Sequence, residues 1–132
     1  MDLGIRKKSA MVCAASKGLG KGCAMKLAED GVNLTICART AGPLEETARE
    51  IRSKTGICVT ALAVGITTEK ARRAVMNACP QPDILINNAG GPPPGDFNDF
   101  TMDDWRQAVE SSMITTISLI HSTVYEMIDR GF

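Results

Sequence analysis

The residues best suited to chemistry in this sequence sit in one short turn, Cys13-Ala14-Ala15-Ser16-Lys17-Gly18-Leu19-Gly20, between an apolar run and a segment of helical period. Glycines at such a turn let backbone N–H groups approach a phosphate, and the N-terminus of the helix that follows adds partial positive charge. Anion binding is the chemistry that this pattern fits, while tight packing of a helix against a strand is the bland reading of the same glycines. A P-loop is excluded. Gly20-Lys21 would need Gly at position 15 and Ser or Thr at position 22, where the chain has Ala15 and Gly22. A methyltransferase with a Gly-rich first turn stays open on the turn alone. It would favour an acid after the second strand to hold ribose hydroxyls, and here Cys37-Ala38-Arg39-Thr40 is followed by no acid until Glu45.

Other reactive side chains are isolated. Cys13, Cys23, Cys37, Cys58 and Cys79 are scattered, form no C-x-x-C pair and read as small buried apolar residues rather than metal ligands. Tyr125 is the one tyrosine, with Asp129 four residues on, and reads as a packing or surface residue. His121 is the one histidine, has no Ser or Cys nucleophile at a recognisable spacing, and reads as structural.

The elements that must position the turn follow from apolar periodicity. Ser9 to Ala14 is short, apolar and followed by glycines, as a buried strand is. Leu19, Cys23 and Leu27 recur at helical spacing, and Gly31 falls where a helix would end on a left-handed residue. The unit repeats. Val32 to Cys37 reads as a strand, and Thr40 can cap a helix with the stripe Leu44, Ala48 and Ile51. Ile57 to Leu62 is a third strand. Thr67 or Thr68 then opens a helix carrying Ala71, Val75 and Ala78 inward, punctuated by Pro80 and Pro82. Asp83 to Ile86 is the fourth strand, and its continuous apolar character predicts cover on both faces. Thr101-Met102-Asp103-Asp104 resembles a capping box, and Met113, Ile117, Ile120, Val124 and Met127 mark one face of a long last helix. Alternation of this kind predicts a parallel sheet with right-handed crossovers and helices on both faces. The stiff loop Gly90-Gly91-Pro92-Pro93-Pro94-Gly95 is expected to wall a site rather than to link domains.

A chain of 132 residues can bury one core, so residues 1–132 are read as a single domain. Lys plus Arg number 15 and Asp plus Glu number 15, which leaves no overall field for nucleic acid or an anionic membrane. No stretch approaches the roughly 20 continuous apolar residues of a membrane span, and Met1-Asp2-Leu3-Gly4 lacks a signal-peptide layout. A cytoplasmic location is expected.

With the glycine turn, Asn87-Asn88-Ala89-Gly90 after the fourth strand resembles the short-chain dehydrogenase/reductase family over the whole chain, in particular reductases similar to 3-oxoacyl-acyl-carrier-protein reductase. The resemblance implies a Rossmann-like, doubly wound parallel sheet in an α/β/α sandwich, incomplete at about four strands in the order 3-2-1-4. It implies that Ser16, Lys17 and Leu19 line the phosphate and ribose of a dinucleotide, with Gly18 and Gly20 allowing close approach. Asn87, Ala89 and Gly90 would border the adenosine ribose, and Val64-Gly65-Ile66 would meet the adenine. Departures are plain. Ala14 stands where the first motif glycine is usual, Gly65 where the family has Asp or Asn against the adenine amino group, and Ser112 where it has an active-site Asn. The family's catalytic Ser and Tyr-x-x-x-Lys are expected beyond Gly131-Phe132, so no catalytic residue is assigned and the chain alone is expected to be inactive.

The implied cofactor is NADP. NAD-selective sites place an acid at the end of the second strand, whereas Arg39 there and Lys17 in the turn would both face a 2′-phosphate. The implied partners are this dinucleotide, a carbonyl or alcohol substrate of the whole enzyme with a 3-oxoacyl thioester as one candidate, and a second copy of the chain. Self-association follows from Ile84-Leu85-Ile86 being left on an open edge. The second functional reading is a degenerate, non-catalytic nucleotide-binding or interaction protein, favoured by Gly65 and Ser112.

Overall fold

Apolar runs too short for helices become four strands: β1 (Ser9–Val12), β2 (Asn33–Ala38), β3 (Val59–Ala63) and β4 (Ile84–Ile86). The computed structural model describes residues 2–131, so Met1 and Phe132, on which the readings of the two ends partly rest, lie outside the described residues. All strand pairs are parallel and the order is β3-β2-β1-β4, as expected. Val12 pairs with Ile36 on one side and Ile86 on the other, so the C-terminal ends of these strands share one rim of the sheet.

The pleat divides β1 between two cores. Ala10 and Val12 face α1 (Gly18–Glu29) and α2 (Ala41–Thr55), packing with Ala24, Ala28, Ile36, Leu44, Ala48 and Ile51. Met11 joins Cys13, Cys37, Val75, Cys79 and Leu119 on the opposite face, under α3 (Glu69–Ala78) and α5 (Thr115–Arg130). Fully burying a side chain such as Met11, Ile36 or Leu44 stabilises by about 1.5–3 kcal/mol, so cover on both faces is what holds a sheet this small.

Several expectations shift by one helical position. The buried face of α1 is Gly20, Ala24 and Ala28, whereas Leu19 is 84 % exposed and Cys23 and Leu27 are half-buried. Small residues win because the helix starts so close to the turn after β1 that a larger chain has no room. Gly31, at φ 85°, follows the end of α1 as expected. In α2 the stripe Leu44, Ala48 and Ile51 is buried together with Thr47, but Thr40 stands at the N-cap without making a capping bond. Thr68 caps α3, its hydroxyl accepting from the Ala71 N–H at 3.2 Å. Ala71 and Val75 are buried but Ala78 is exposed; the chain leaves the helix there and turns Cys79 inward.

The long last helix is in three pieces. A 3-10 turn (Phe97–Asp99) leads to α4 (Met102–Val109), whose capping box is present: the Thr101 hydroxyl accepts from the Asp104 N–H and the Asp104 carboxylate from the Thr101 N–H. A π-helical turn (Glu110–Ile114) then joins α4 to α5. Residues buried by α5 are Thr115, Leu119 and Thr123, and the apolar stripe expected to mark its face is turned out, with Met113, Ile117 and Ile120 exposed and Val124 and Met127 half-buried. Burying threonine is tolerable because the Thr123 hydroxyl donates to the Leu119 carbonyl at 2.9 Å. Ile84, Leu85 and Ile86 are only half-buried, since among the described residues no strand covers the outer edge of β4.

One ionic cluster closes the far rim. The Asp83 carboxylate accepts from the Ser9 N–H at 2.8 Å and lies 3.7 Å from both Lys8 and Arg130, joining β1, β4 and the end of α5.

Candidate functional site

At the end of β1 the chain turns sharply. Ala14 takes φ 49°, a left-handed conformation that costs a residue with a Cβ roughly 1–2 kcal/mol, and Gly18, at φ 58°, opens α1 without that cost. The turn is fastened on three sides. The Ala15 N–H donates to the Cys37 carbonyl at 3.0 Å, the Cys13 N–H to the Ile86 carbonyl at 3.1 Å, and the Thr47 hydroxyl to the Ser16 carbonyl at 3.1 Å. Beneath it, a Cβ on Gly20 would overlap the Ala14 carbonyl, and the Asn88 amide donates to that same carbonyl at 3.4 Å. The two motifs therefore touch each other directly.

Two helix N-termini open here, and neither is filled. The N-caps of α1 and α2, Lys17 and Thr40, make no side-chain capping bond and neither first turn carries an acid. By contrast α3 and α4 are capped by threonine and carry Glu69, Asp103 and Asp104 in their first turns. Uncapped N–H groups and uncompensated helix dipoles make the rim above β1 and β2 a place for an anion.

Both N-caps line a cavity of about 1080 Å³. Its lining contains two cations, Lys17 and Arg39, and neither forms an ion pair among the described residues. Its acids are both occupied: Asp104 is held below the usual carboxylate range by hydrogen bonds from the Thr101 hydroxyl and N–H, and Glu110 lies 3.5 Å from Arg72. Lys21 is not available to a phosphate. It sits 2.6 Å from Glu50, whose carboxyl Lys21 and then Lys54 depress to about 2. Below the cavity, Cys13 and Cys37 are buried against each other. The Cys13 thiol donates to the Cys37 sulfur, and that bond together with burial pushes its pKa far up, so it stays a neutral thiol.

Of the residues expected to contact a cofactor, Ser16, Lys17, Gly18, Arg39, Gly65, Ile66, Ala89 and Gly90 line this cavity. Leu19, Gly20 and Asn87 do not: Leu19 points to solvent, Gly20 is buried under the turn, and the Asn87 Oδ1 is buried without a hydrogen-bond partner among the described residues. Ser112 is exposed in the π turn and its neighbour Ser111 lines the cavity instead. Tyr125 and His121 lie edge to face, 6.4 Å apart, on the exposed side of α5. The described residues contain no cluster of His, Cys, Asp or Glu able to hold a metal ion, and no helix long and apolar enough to cross a membrane.

Four contributors were not foreseen. Asn88 acts through its amide rather than as a motif letter, and an amide immediately after a strand is the signal that could have revealed it. Thr40 lines the cavity because its capping bond is not made. Phe100 and Trp105, 6.2 Å apart, wall the far end together with Pro92, Pro93 and Pro94 of the stiff loop.

The short chain dehydrogenase family model matches residues 8–132. The chain belongs to that family. Among curated relatives, the oxidoreductase YgcW of Escherichia coli is 31 % identical over 130 residues, covering 96 % of this chain and 49 % of its own length. The 3-oxoacyl-[acyl-carrier-protein] reductase FabG of Aquifex aeolicus is 25 % identical over 134 residues, with 98 % and 54 % covered. Among solved structures, L-sorbose reductase from Gluconobacter frateurii, complexed with NADPH and L-sorbose, superposes with a TM-score of 0.93 at 30 % identity, over 99 % of this chain and 51 % of that one. The NADPH-dependent reductase YwfH superposes with a TM-score of 0.85 at 27 % identity, over 96 % and 52 %. This member of the family thus spans about half the length of the relatives it matches.

Proposed function

We propose that the chain supplies the nucleotide-binding share of an NADP(H)-dependent oxidoreductase that interconverts a carbonyl and an alcohol. The observation that carries this reading is the convergence of two unfilled helix N-termini and two unpaired cations, Lys17 and Arg39, on one cavity with no free acid. The donor set suits a dinucleotide bearing an extra phosphate. N–H groups at the start of α1 would hold the pyrophosphate, and the guanidinium of Arg39 and the ammonium of Lys17 would hold the 2′-phosphate from two sides. When bound, the nicotinamide ring would supply or accept the hydride. Ala89, Gly90, the Pro92 to Pro94 loop and Trp105 wall the rest of the same cavity. A 3-oxoacyl thioester is one candidate substrate. The NADPH complex of the similar L-sorbose reductase and the NADPH dependence of the similar YwfH support the cofactor assignment. A non-catalytic nucleotide-binding protein is the second reading, favoured by Ser112 standing outside the cavity lining.

Calorimetric titration with NADP⁺ and NAD⁺, repeated on Arg39→Asp, tests the first reading. Charge-assisted hydrogen bonds contribute about 1.5–3 kcal/mol, so NADP⁺ should bind about tenfold or more tighter than NAD⁺. Arg39→Asp should abolish or reverse that ratio. Equal affinities, or a ratio that the substitution leaves unchanged, refute it. The reading also includes a homo-oligomer, supported by the outward apolar face of α5 and the open edge of β4.

A further inference from the structure

Cys13, directly after β1, and Cys37, near the end of β2, lie side by side beneath the glycine turn. The parallel register that pairs Val12 with Ile36 sets Cys13 opposite Cys37 one residue on. Adjacent strands lie roughly 4.7–4.9 Å apart, inside the range of about 4.4–6.8 Å that a disulfide spans between Cα atoms. Both side chains belong to the same face of the sheet, where they join one core with Met11, Val75 and Leu119. The backbone and the pleat thus place two thiols where one bond could join them. Cys79, the third buried cysteine, has the Thr35 and Ser9 hydroxyls beside it instead of a second thiol.

The two partners are not equivalent. Cys37 lines the cavity and Cys13 does not, although each is only 1 % exposed. A small oxidant entering the cavity therefore meets Cys37 first, and a bulky one meets neither. The Cys37 sulfur accepts from the Cys13 S–H and from the Ala14 N–H, and against burial these bonds hold its pKa below the ordinary value. The cavity above it carries the unpaired cations Lys17 and Arg39 and no free acid. Thiolate character and an electropositive surrounding are what make a cysteine nucleophilic. Cys13 keeps its proton and stands as a neutral thiol against the sulfur that would be attacked.

We propose that Cys13 and Cys37 form a reversible, hydroperoxide-responsive thiol pair in the floor of the cavity, with Cys37 as the reacting sulfur and Cys13 as the resolving one. The Cys37 thiolate attacks the terminal oxygen of a hydroperoxide. An S–O bond forms, the O–O bond breaks, and the alkoxide or hydroxide released takes a proton from solvent, leaving Cys37 as a sulfenic acid. The Cys13 sulfur then attacks the Cys37 sulfur: the S–S bond forms, the S–O bond breaks, and hydroxide leaves with the Cys13 proton as water. Two electrons pass from the thiol pair to the peroxide. The identity of the nucleotide does not enter this step.

The test is treatment of the reduced, folded chain with hydrogen peroxide, followed by alkylation of remaining thiols, trypsin and mass spectrometry. Cleavage puts Cys13 in the peptide of residues 9–17 and Cys37 in that of residues 27–39. Peroxide should join these two peptides with loss of two hydrogen atoms, and a dithiol reductant should separate them again. In urea, where the register is gone, the same treatment should scatter links among the cysteines. Cys13→Ser should leave Cys37 as a sulfenic acid that dimedone captures, and Cys37→Ser should leave Cys13 open to alkylation. Glutathione disulfide, too large for the cavity floor, should leave the folded pair unlinked. If peroxide leaves both peptides unlinked, carries Cys37 on to sulfinic acid, or links the folded chain as indiscriminately as the unfolded one, the pair is only two packed thiols and the proposal is overturned. The unsubstituted chain decides the matter even where a serine variant does not fold.

Discussion

Replacing Gly20 by alanine places one methyl group between two motifs that are more than sixty residues apart in sequence. The new Cβ would overlap the Ala14 carbonyl oxygen and come within 2.9 Å of both its carbon and the Asn88 amide nitrogen. None of these is the free end of a flexible chain: Ala14 is fastened backbone, and Asn88 is held by its bond to that carbonyl. Helix α1 must therefore move away from β1. Overpacking of this kind costs about 1–3 kcal/mol, and loss of the Asn88 bond adds about 0.5–1.5 kcal/mol, for a total of about 1.5–4.5 kcal/mol. Domains of this size have only about 5–15 kcal/mol in all. Gly22, two residues along the same helix with nothing within 4 Å of its Cβ position, is the internal control. Gly22→Ala should stabilise by about 0.5–1 kcal/mol, the ordinary gain of alanine over glycine inside a helix. Urea unfolding of both variants, followed by circular dichroism, reads the difference directly. Should Gly20→Ala prove as stable as Gly22→Ala, the close approach of α1 to the turn would not be what selects glycine at position 20.

Two further outcomes are expected. Burial raises the Asp83 carboxyl, but hydrogen bonds from the Ser9 N–H and hydroxyl and the charges of Lys8 and Arg130 outweigh it and hold the group below its ordinary 3.8. A lowered folded value means that the stabilisation is present above pH 3.8 and is lost as the pH falls through the lower folded value. Asp83→Asn should cost about 1.5–3 kcal/mol at pH 7, with the gap to the parent closing below about pH 3.8 in acid titrations of stability; a gap independent of pH would refute the assignment. Ile117 and Ile120 are 56 % and 44 % exposed on the outer face of α5, so Ile117→Lys with Ile120→Lys should shift sedimentation at tens of micromolar from an oligomer to a monomer. A monodisperse monomer of the unsubstituted chain would show that nothing covers that face.

Much of the architecture was legible in the residues. Short apolar runs punctuated by glycine and proline revealed the four strands, and Thr68, Gly31 and the Thr101-Asp104 pair marked helix ends, because capping and left-handed turns are local chemistry. The likeness to short-chain dehydrogenases rested on two motifs whose side-by-side placement is now explained by the contact between Gly20, Ala14 and Asn88. Periodicity found the buried stripe of α2, Leu44, Ala48 and Ile51, but not the face that α1 or α5 turns to the sheet. In α1 the small residues Gly20, Ala24 and Ala28 are inside, and in α5 Thr115 and Thr123 are inside while Ile117 and Ile120 are out. Hydropathy records how apolar a side chain is, whereas burial here is decided by how closely a backbone must approach. Likewise Arg39 and Lys17 could be named from the sequence as candidate phosphate ligands, but that both stay unpaired beside unfilled helix ends is a matter of which acids lie within reach. Glu50 is drawn to Lys21 and Lys54, and Glu110 to Arg72. Only the packed chain sets those distances, since the Coulomb term that pairs one cation and spares another depends on separation in space and not along the chain.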